Sequence, residues 1–544
     1  MKSGKFEVGA SSMRALATLL VANSLLLVPL WIANGGVRPH FLAIEAVLLV
    51  GAFLALPHRP WSSVAAWVVS GLVVCLGVLW LGEAAARLSL ARSLNLYLDL
   101  RLLSSVGSLL SGALGTFRGT LVMVVGVSIF AGSLLGLALL LQSLRTDRAS
   151  RARWVGVALV VVALALVPGR WLHPAGVAFG LTSVDLVRAQ AVQLRLMLGE
   201  RERFAAELAV APTSYRSQAG LFTALEGRDV IMAFVESYGM TALADPRYGP
   251  VVRPRLAAMD STLSGAGLFV ATGRLQAPSQ GGQSWLGHGS VLSGLWLENQ
   301  LRYDLLLASQ RGTLVDDFRA AGYRTTAIMP AITLAWPEGE RFGYDEIYDR
   351  DRIDYAGPPL NWVTMPDQFT WSFLERVVRS SPDRRPLFAQ LGLISSHAPW
   401  TPILPVLDDW DSIGNGSVFH AWDGAGEQPE VLGRDSDRVR EHYAMAIAYA
   451  IDVMASYAAR YVDEGTVLIA MGDHQPAPLI TGDDDARSVP VHVIVSDEAL
   501  LAPYLSWGFL PGTEPDTTGD EPPRMDAFRD WFVRAFSAQV VEGP

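Results

Sequence analysis

Residues 465–473 read GTVLIAMGD, a short apolar run that ends in a carboxylate. Similar runs are DVIMAFVES (229–237), YRTTAIMP (323–330), PLFAQLGLIS (386–395) and VPVHVIVSD (489–497). Stretches with helical periodicity separate them, such as HYAMAIAYAIDVMASYAARYV (442–462). Strands that alternate with helices predict an α/β domain with a mostly parallel central sheet.

Ionisable side chains stand directly after three of these runs: Glu236, His397, and the pair Asp473 and His474. In such sheets, ligands bind at the carboxyl ends of the strands, so we expect these side chains to lie close together. A lone carboxylate there is an ordinary solvated group, but two carboxylates and a histidine would titrate abnormally unless a cation compensated them. Oxygen ligands with one imidazole suit Mn²⁺, Mg²⁺ or Zn²⁺, which predicts a divalent metal site.

A glycine-rich turn, LQAPSQGGQSW (275–285), opens a predicted helix that carries Ser284 in its first turn. In isolation, such a serine is more often a helix N-cap. It is also suited to nucleophilic attack, because the helix dipole favours anions and a metal can replace the general base. The segment matches neither the G-x-S-x-G elbow nor the P-loop, which disfavours a histidine-activated serine.

The charges of the chain divide it into two parts. The 544 residues have a net charge of −10, but residues 1–200 hold 16 Lys and Arg against seven Asp and Glu. Residues 1–200 are therefore net +9 and the rest of the chain is −19. The acidic part would repel phosphate backbones, which excludes nucleic acid as a partner. Only 18% of the residues are charged, against about 25% in soluble domains, which indicates a charge-poor segment.

Five apolar stretches in the basic part predict membrane-spanning helices. They cover residues 13–35, 40–57, 62–82, 119–143 and 154–172. No small-residue cleavage site follows the first, which disfavours a signal peptide. Four arginines lie between the last two stretches, so this loop should be cytoplasmic and the chain after the fifth stretch extracytoplasmic.

Together these segments resemble the lipoteichoic acid synthase type of membrane phosphoglycerol transferase, within the alkaline phosphatase and sulfatase superfamily. In that family, an E-S-[FY] strand end supplies a metal ligand, here Glu236 in FVESYG. A G-G-x-[TS] turn supplies the metal-bound hydroxyl nucleophile, here Ser284, and a G-D-H strand end supplies the ligands Asp473 and His474. The S-S-H-x-P segment supplies a substrate-side catalytic histidine, here His397.

Other positions resemble the family with departures. Trp336 and Asp367 correspond to substrate-side positions, and His288 stands near the nucleophile where the family has an acidic residue. The nucleophile is serine here, whereas the family usually has threonine. Met329 and Glu338 replace the basic residues that grip glycerol phosphate in the synthases. The resemblance therefore leaves the head group and the acceptor open.

The resemblance implies a transmembrane domain of five spans (1–172), a juxtamembrane helical linker (173–226) and an extracytoplasmic sulfatase-like catalytic domain (227–544), in a multi-pass protein of the cell membrane. It implies transfer of a phosphoglycerol or related head group from an outer-leaflet phospholipid to a glycan or glycolipid acceptor. The cofactor would be one divalent ion, Mn²⁺ or Mg²⁺ in preference to Zn²⁺, and Ser284 would carry a covalent phosphoserine-type intermediate.

Two alternatives to a transferase accompany this interpretation. The first is a membrane-bound phosphodiesterase, phosphatase or sulfatase-like hydrolase that uses the same metal site with water as acceptor. Ser284 lacks the sequence context for conversion to formylglycine, which disfavours a mature sulfatase. The second is a catalytically silent domain that binds glycans or proteins, which the complete set of ligands disfavours.

Overall fold

The computed structural model describes residues 3–34, 40–100, 106–107, 110–111, 115–145, 151–172, 179–210, 220–482, 484, 486–517 and 521–538. They belong to two compact units. One unit comprises Met1–Leu88 and Arg92–Leu198, and the other comprises Ser89–Ala91 and Gly199–Pro544. Parts of the predicted cytoplasmic loop (146–150) and of the predicted linker (173–178 and 211–219) lie outside the described residues.

The first unit consists mainly of helices. Three of those described are long and apolar enough, by length and composition, to cross a membrane: Ser12–Ile32, Pro60–Leu90 and Thr116–Leu144. The five-span count is therefore not confirmed. The helices of this unit are Ser3–Ala33, Ile44–Ala55, Pro60–Leu90, Leu96–Asp99, Thr116–Leu144, Arg151–Leu172 and Thr182–Val210, of which the last continues into the second unit.

The predicted second span is shorter than the sequence suggested. Its helix, Ile44–Ala55, has 12 residues, or about 18 Å at 1.5 Å per residue, against a hydrocarbon layer of about 30 Å. The preceding residues are extended instead: Leu42–Ala43 (β1) pairs in parallel with Phe179–Gly180 (β2). This pairing keeps the chain before Ile44 out of the helix.

The second unit is built around an eight-stranded mixed sheet of order β10-β4-β9-β8-β3-β7-β5-β6. The five strands from β8 to β6 in this order run parallel, and β9, β4 and β10 each pair antiparallel with their neighbours. The α/β architecture with a mostly parallel sheet agrees with the prediction. The strands are β3 Asp229–Val235, β4 Phe269–Gln276, β5 Arg324–Met329, β6 Glu346–Asp349, β7 Leu387–Leu393, β8 Thr466–Gly472, β9 Ser488–Val495 and β10 Leu510–Pro511.

Helices cover both faces of this sheet, because the central strands are apolar on both sides. In β3, Ile231 and Val235 face one core cluster, and Met232 and Phe234 face the other. The helices of the second unit are Thr241–Ala244, Gly249–Gly265, Ser284–Ser293, Gln300–Ala308, Leu314–Ala320, Pro337–Phe342, Asp367–Phe373 with a π-helical extension Leu374–Arg379, Pro429–Leu432, Ser436–Tyr461, Pro478–Thr481, Ala502–Ser506 and Ala527–Phe536. Short 3-10 turns are Thr223–Leu225, Asp411–Ile413, Ser417–Trp422 and Glu498–Leu501.

His492 lies in the core of this sheet and predicts an acid-sensitive stability. It is fully buried, its Nδ1 lies 2.9 Å from Thr272 Oγ1, and its Nε2 lies 3.0 Å from the Tyr238 hydroxyl. Burial lowers the pKa of His492 to about 4. Since the unfolded chain binds this proton near pH 6.5, the free energy of unfolding should fall by about 3 kcal/mol as the pH drops from 6.5 to 4.

Thermal or denaturant unfolding at a series of pH values checks this expectation. His492→Gln should flatten the pH dependence in that window, whatever it does to stability at neutral pH. The same change at the exposed His420 is measured in parallel as the control for replacing a histidine at the surface. An unaltered slope in His492→Gln would show that other groups set the acid sensitivity.

Candidate metal centre

Two adjacent parallel strands end at the candidate metal centre. β3 and β8 pair along their whole length, and the last pair is Val235 with Gly472. Glu236 and Asp473 therefore leave the sheet side by side, with His474 directly after. One ligand atom from each of these three side chains lies within 4.8 Å of the others. The structure thus brings together the three ionisable ligands that the sequence predicted at this edge.

The two oxygens of the Asp473 carboxylate have different contacts. Oδ1 accepts the backbone N–H of Ser237 at 2.8 Å and the backbone N–H of His474 at 2.7 Å. Oδ2 lies 3.6 Å from His474 Nε2. Asp473 therefore joins the ends of β3 and β8 with one oxygen and presents the other to the cluster.

His474 presents a nitrogen to the two carboxylates. Its Nδ1–H donates to the Gln475 carbonyl at 2.8 Å, which leaves Nε2 facing Glu236 Oε1 at 3.3 Å. Nε2 is buried and makes no well-aligned hydrogen bond within the described part of the chain. Two carboxylates that face this nitrogen require a positive charge at this point, supplied either by a proton on Nε2 or by a bound cation.

Ser284 reaches the same cluster from a turn of unusual backbone conformation. Gly281, Gly282 and Gln283 have φ angles of +73°, +142° and +63°, and the helix begins at Ser284. The Gly281 N–H donates to the Gln475 carbonyl at 2.8 Å, which fixes the turn beside His474. Ser284 Oγ then donates to Glu236 Oε2 at 3.2 Å. Strained backbone of this kind is typical of functional sites.

The charges at the centre are mutually dependent. Burial raises the pKa of Glu236, but the neighbouring His474 outweighs this and lowers it below its usual value. Burial and the charge of Glu236 both raise the pKa of Asp473. Burial lowers the pKa of His474, whereas Asp473 and Glu236 raise it to about 9. The two carboxylates therefore attract a positive charge to this point.

These residues fit a bound divalent metal ion. The donor set is two carboxylates, one imidazole nitrogen and one hydroxyl, which Mn²⁺, Mg²⁺ and Zn²⁺ accept. The buried Nε2 without an aligned partner is the observation that favours a metal over a purely structural ion pair. Ser237 Oγ donates to Glu236 Oε1 at 2.8 Å, and this hydrogen bond helps to orient the Glu236 carboxylate.

His397 lies at the end of the neighbouring strand β7. Ser396 Oγ donates to the Glu236 carbonyl at 2.5 Å, which ties this segment to the metal ligands. The His397 ring stacks on Trp362 with 5.5 Å between centroids. Its Nδ1–H donates to the Ala398 carbonyl at 2.5 Å, so Nε2 is the nitrogen left for chemistry. A positive charge on His397 lowers the pKa of Glu236, which places the two groups within electrostatic range.

His288 lies one helical turn after Ser284 and stacks on Phe234 at 3.9 Å between centroids. Burial lowers the pKa of His288 to about 3, so the ring is neutral. Tyr344 donates its hydroxyl to Gln390 Oε1, and Gln390 Nε2 lies 3.2 Å from His288 Nδ1. Since the amide NH₂ can only donate, this network assigns the imidazole proton to Nε2.

Two predicted substrate-side residues, Asp367 and Trp336, do not belong to the ligand cluster. Asp367 is fully buried, and its Oδ1 accepts the backbone N–H groups of Ile394 and Ser395, both at 2.8 Å. Oδ1 thus anchors the end of β7, and a substrate contact of Asp367 stays a prediction. Trp336 precedes the helix Pro337–Phe342, and no hydrogen bond or ring contact joins it to the metal cluster within the described residues.

Gly287 sets how closely the serine helix approaches the metal ligands. A Cβ at this position would lie 2.6 Å from the Asp473 carbonyl oxygen. We expect Gly287→Ala to displace the helix or Asp473, to cost about 1–3 kcal/mol in unfolding free energy and to weaken metal binding roughly 10-fold or more. Gly265→Ala, at a helical glycine with open space around it, should change neither. Equal metal affinity in the two variants, measured by calorimetry, would contradict the prediction.

No protein-family model and no curated protein match the chain. Solved structures do resemble it. The lipoteichoic acid synthase LtaP from Listeria monocytogenes is 14% identical over 53% of this chain and 69% of that chain, with a TM-score of 0.36. A protein in the alkaline phosphatase superfamily from Vibrio parahaemolyticus is 14% identical over 53% and 62%, with a TM-score of 0.33. The Streptococcus pyogenes phosphoglycerol transferase GacH, solved with sn-glycerol-1-phosphate, is 12% identical over 64% and 86%, with a TM-score of 0.36.

These identities and TM-scores describe a distant likeness, so the functional conclusions depend on the residues of the site itself.

Proposed function

We propose that this protein is a metal-dependent enzyme that transfers a phosphoglycerol or related head group from a membrane phospholipid to a glycan or glycolipid acceptor. The observation that carries the proposal is the buried Nε2 of His474. It faces Glu236 and Asp473 without an aligned hydrogen bond, and Ser284 Oγ lies 3.2 Å from the second Glu236 oxygen. A nucleophilic hydroxyl beside such a ligand set is suited to phosphoryl transfer.

Glu236, Ser284, Asp473 and His474 would hold one divalent ion, for which we favour Mn²⁺ or Mg²⁺ over Zn²⁺ because most of the donors are oxygen atoms. When bound, such an ion lowers the pKa of a coordinated hydroxyl and stabilises negative charge on phosphoryl oxygens. The hydrogen bond to Glu236 keeps the serine oxygen directed at the centre.

In the first step, a bond forms between Ser284 Oγ and phosphorus as the bond from phosphorus to the lipid oxygen breaks. We assign His397 as the acid that protonates this leaving oxygen, because its Nε2 makes no hydrogen bond to the described residues and stacking on Trp362 fixes the ring. The serine proton is released to water. In the second step, His397 takes the proton of the acceptor hydroxyl as that oxygen attacks the phosphoserine, and Ser284 regains a proton.

We assign His288 as a hydrogen-bond donor to the phosphoryl group. Its proton is held on Nε2 by the chain from Tyr344 through Gln390. A neutral donor one turn from the nucleophile can bind a phosphoryl oxygen without competing for the metal ligands. Gln390→Glu would supply an acceptor to Nδ1 and reverse the tautomer.

The membrane helices suit a lipid donor. We propose the domain boundaries 1–172, 173–226 and 227–544 and an extracytoplasmic catalytic domain in the cell membrane. The three long apolar helices support a membrane protein. A phosphatase reporter fused after Pro544 should be active, because that enzyme requires the oxidising side of the membrane, and an inactive fusion would overturn the orientation.

The decisive experiment separates a transferase from a hydrolase. The purified protein is incubated with vesicles that contain head-group-labelled phosphatidylglycerol or phosphatidylethanolamine, and label on the protein is measured. The labelled protein is then chased with water alone or with a glycolipid acceptor. Release that needs the glycolipid supports the transferase, equal release into water supports a hydrolase, and no label with either lipid would reject both as donors.

A further inference from the structure

The first half of the helix Thr182–Val210 is docked on the ends of the apolar helices. The Ser183 N–H donates to Glu45 Oε1 at 2.8 Å, in the first turn of the helix that begins at Ile44. Gln190 accepts the Leu96 N–H at 3.1 Å and donates to the Leu94 carbonyl at 2.8 Å, shortly after the helix that ends at Leu90. This half of the helix therefore lies where apolar helices begin and end.

Its buried side chains continue the core of the apolar helices. Leu186 is 3% exposed and belongs to the same hydrophobic cluster as Leu26, Val73 and Leu137, which come from the three long apolar helices. Thr182, Leu186 and Gln190 recur every four residues and form one face of the helix. The side of the helix next to this face must contact something else.

That side carries an apolar stripe next to arginines. Val184, Val187, Leu194 and Leu198 are 53%, 57%, 46% and 54% exposed. Their spacing of three, seven and four residues places them within roughly 80° of one another on the helix, on the side next to the face of Thr182, Leu186 and Gln190. Arg188 and Arg195 are exposed and border this stripe, one heptad apart.

A lipid surface is the environment that suits both the apolar stripe and the arginines beside it. Half-exposed aliphatic side chains in a row favour an apolar neighbour, and the ends of apolar helices are where acyl chains meet head groups. Arginines beside such a stripe can reach lipid phosphates. A second copy of the helix suits them less well, because Asp185 is the only acidic residue between 184 and 198 and lies on another side.

We propose that residues 184–198 lie in the membrane interface, with the apolar stripe in the boundary between head groups and acyl chains and with Arg188 and Arg195 on the phosphates of anionic lipids. This contact is independent of the proposed reaction. It would hold the helix that leads into the second unit at the level of the lipid head groups.

Spin labels on the full-length protein in nanodiscs test the proposal. Cys75, the single cysteine, is first replaced by serine, and a labelled cysteine is then placed at Val187, Leu194 or Leu198. A label at Val127, which is 68% exposed on the helix Thr116–Leu144, provides the reference access for the hydrocarbon. A label at the exposed Ser380 provides the reference access for water. Access to oxygen and to a water-soluble nickel chelate is measured in phosphatidylcholine with and without phosphatidylglycerol.

We expect the ratio of oxygen to nickel access at the three stripe positions to lie between the two calibration values, and several-fold above Ser380. Removing phosphatidylglycerol should raise nickel access at Val187, and Arg188→Gln with Arg195→Gln should abolish that dependence. Water-like access at all three positions would overturn the proposal. Short distances between labels on two copies would also overturn it and assign the stripe to self-association. Using three label positions keeps the test valid if one variant does not fold.

Discussion

Ser284→Ala will leave the protein folded and metal-bound but will abolish the covalent phosphoryl-enzyme. We expect turnover to fall roughly 10³-fold or more, the scale on which removal of a catalytic nucleophile acts. The fold should survive because Ser284 is partly exposed and its hydroxyl contacts the carboxylates of the centre, not the core of the sheet. The measurement is incorporation of labelled head group into the protein, followed by turnover of the same lipid.

A neighbouring serine provides the control. Ser279 lies in the same loop, is buried, and its Oγ has no hydrogen-bond partner among the described residues. Ser279→Ala therefore removes the same atom from the same segment and should retain both label and turnover. Label retained in Ser284→Ala would show that the nucleophile lies elsewhere, whereas loss in both variants would indicate a disturbed loop.

Asp473→Asn should remove the metal while the strand ends stay joined. An asparagine keeps an oxygen that can accept the N–H groups of Ser237 and His474, as Oδ1 does now. It exchanges the second, negatively charged oxygen for an NH₂ group, which cannot bind a cation. We expect the affinity for Mn²⁺ to fall by more than the roughly 10- to 100-fold that follows loss of an outer-shell partner.

Asp367→Asn is the matched control for this loss of metal. Asp367 is also a buried aspartate whose Oδ1 accepts two backbone N–H groups at a strand end, that of β7. Because it does not belong to the ligand cluster, its replacement should leave the metal content unchanged. Metal content can be measured by elemental analysis and affinity by calorimetry, without substrate. Equal affinities in the two variants would reject Asp473 as a ligand.

The central strands were predictable because their residues are apolar on both faces. All five runs recognised in the sequence became strands of one sheet. The strand Phe269–Gln276 was missed because Gly273 and Arg274 interrupt its apolar pattern. This segment forms a strand because it pairs with β9 on one side and with β10 on the other. The local sequence pattern does not show such pairing between distant segments.

The candidate site could be predicted in part, because the direction of a strand determines the edge of the sheet at which the residues after it lie. Glu236, Asp473 and His474 follow parallel strands, so the edge at which they meet could be predicted. The direction of a side chain could not be predicted in this way, as the full burial of Asp367 illustrates. Nor could the sequence indicate that Gln390 contacts His288 and that Tyr344 contacts Gln390, since Tyr344 and Gln390 lie 56 and 102 residues from His288 in the chain. The catalytic roles of all these residues remain predictions.

The pairing of Val235 with Gly472 also means that the lengths of β3 and β8 determine where Glu236 and Asp473 lie. Each residue adds about 3.3 Å to a strand and reverses the side on which the next side chain lies. A single residue inserted within β3 or β8 would thus carry Glu236 or Asp473 past its counterpart and turn it to the wrong face. The surface loops of this protein can change in length during evolution, but these two strands must keep their residue count for the centre to assemble.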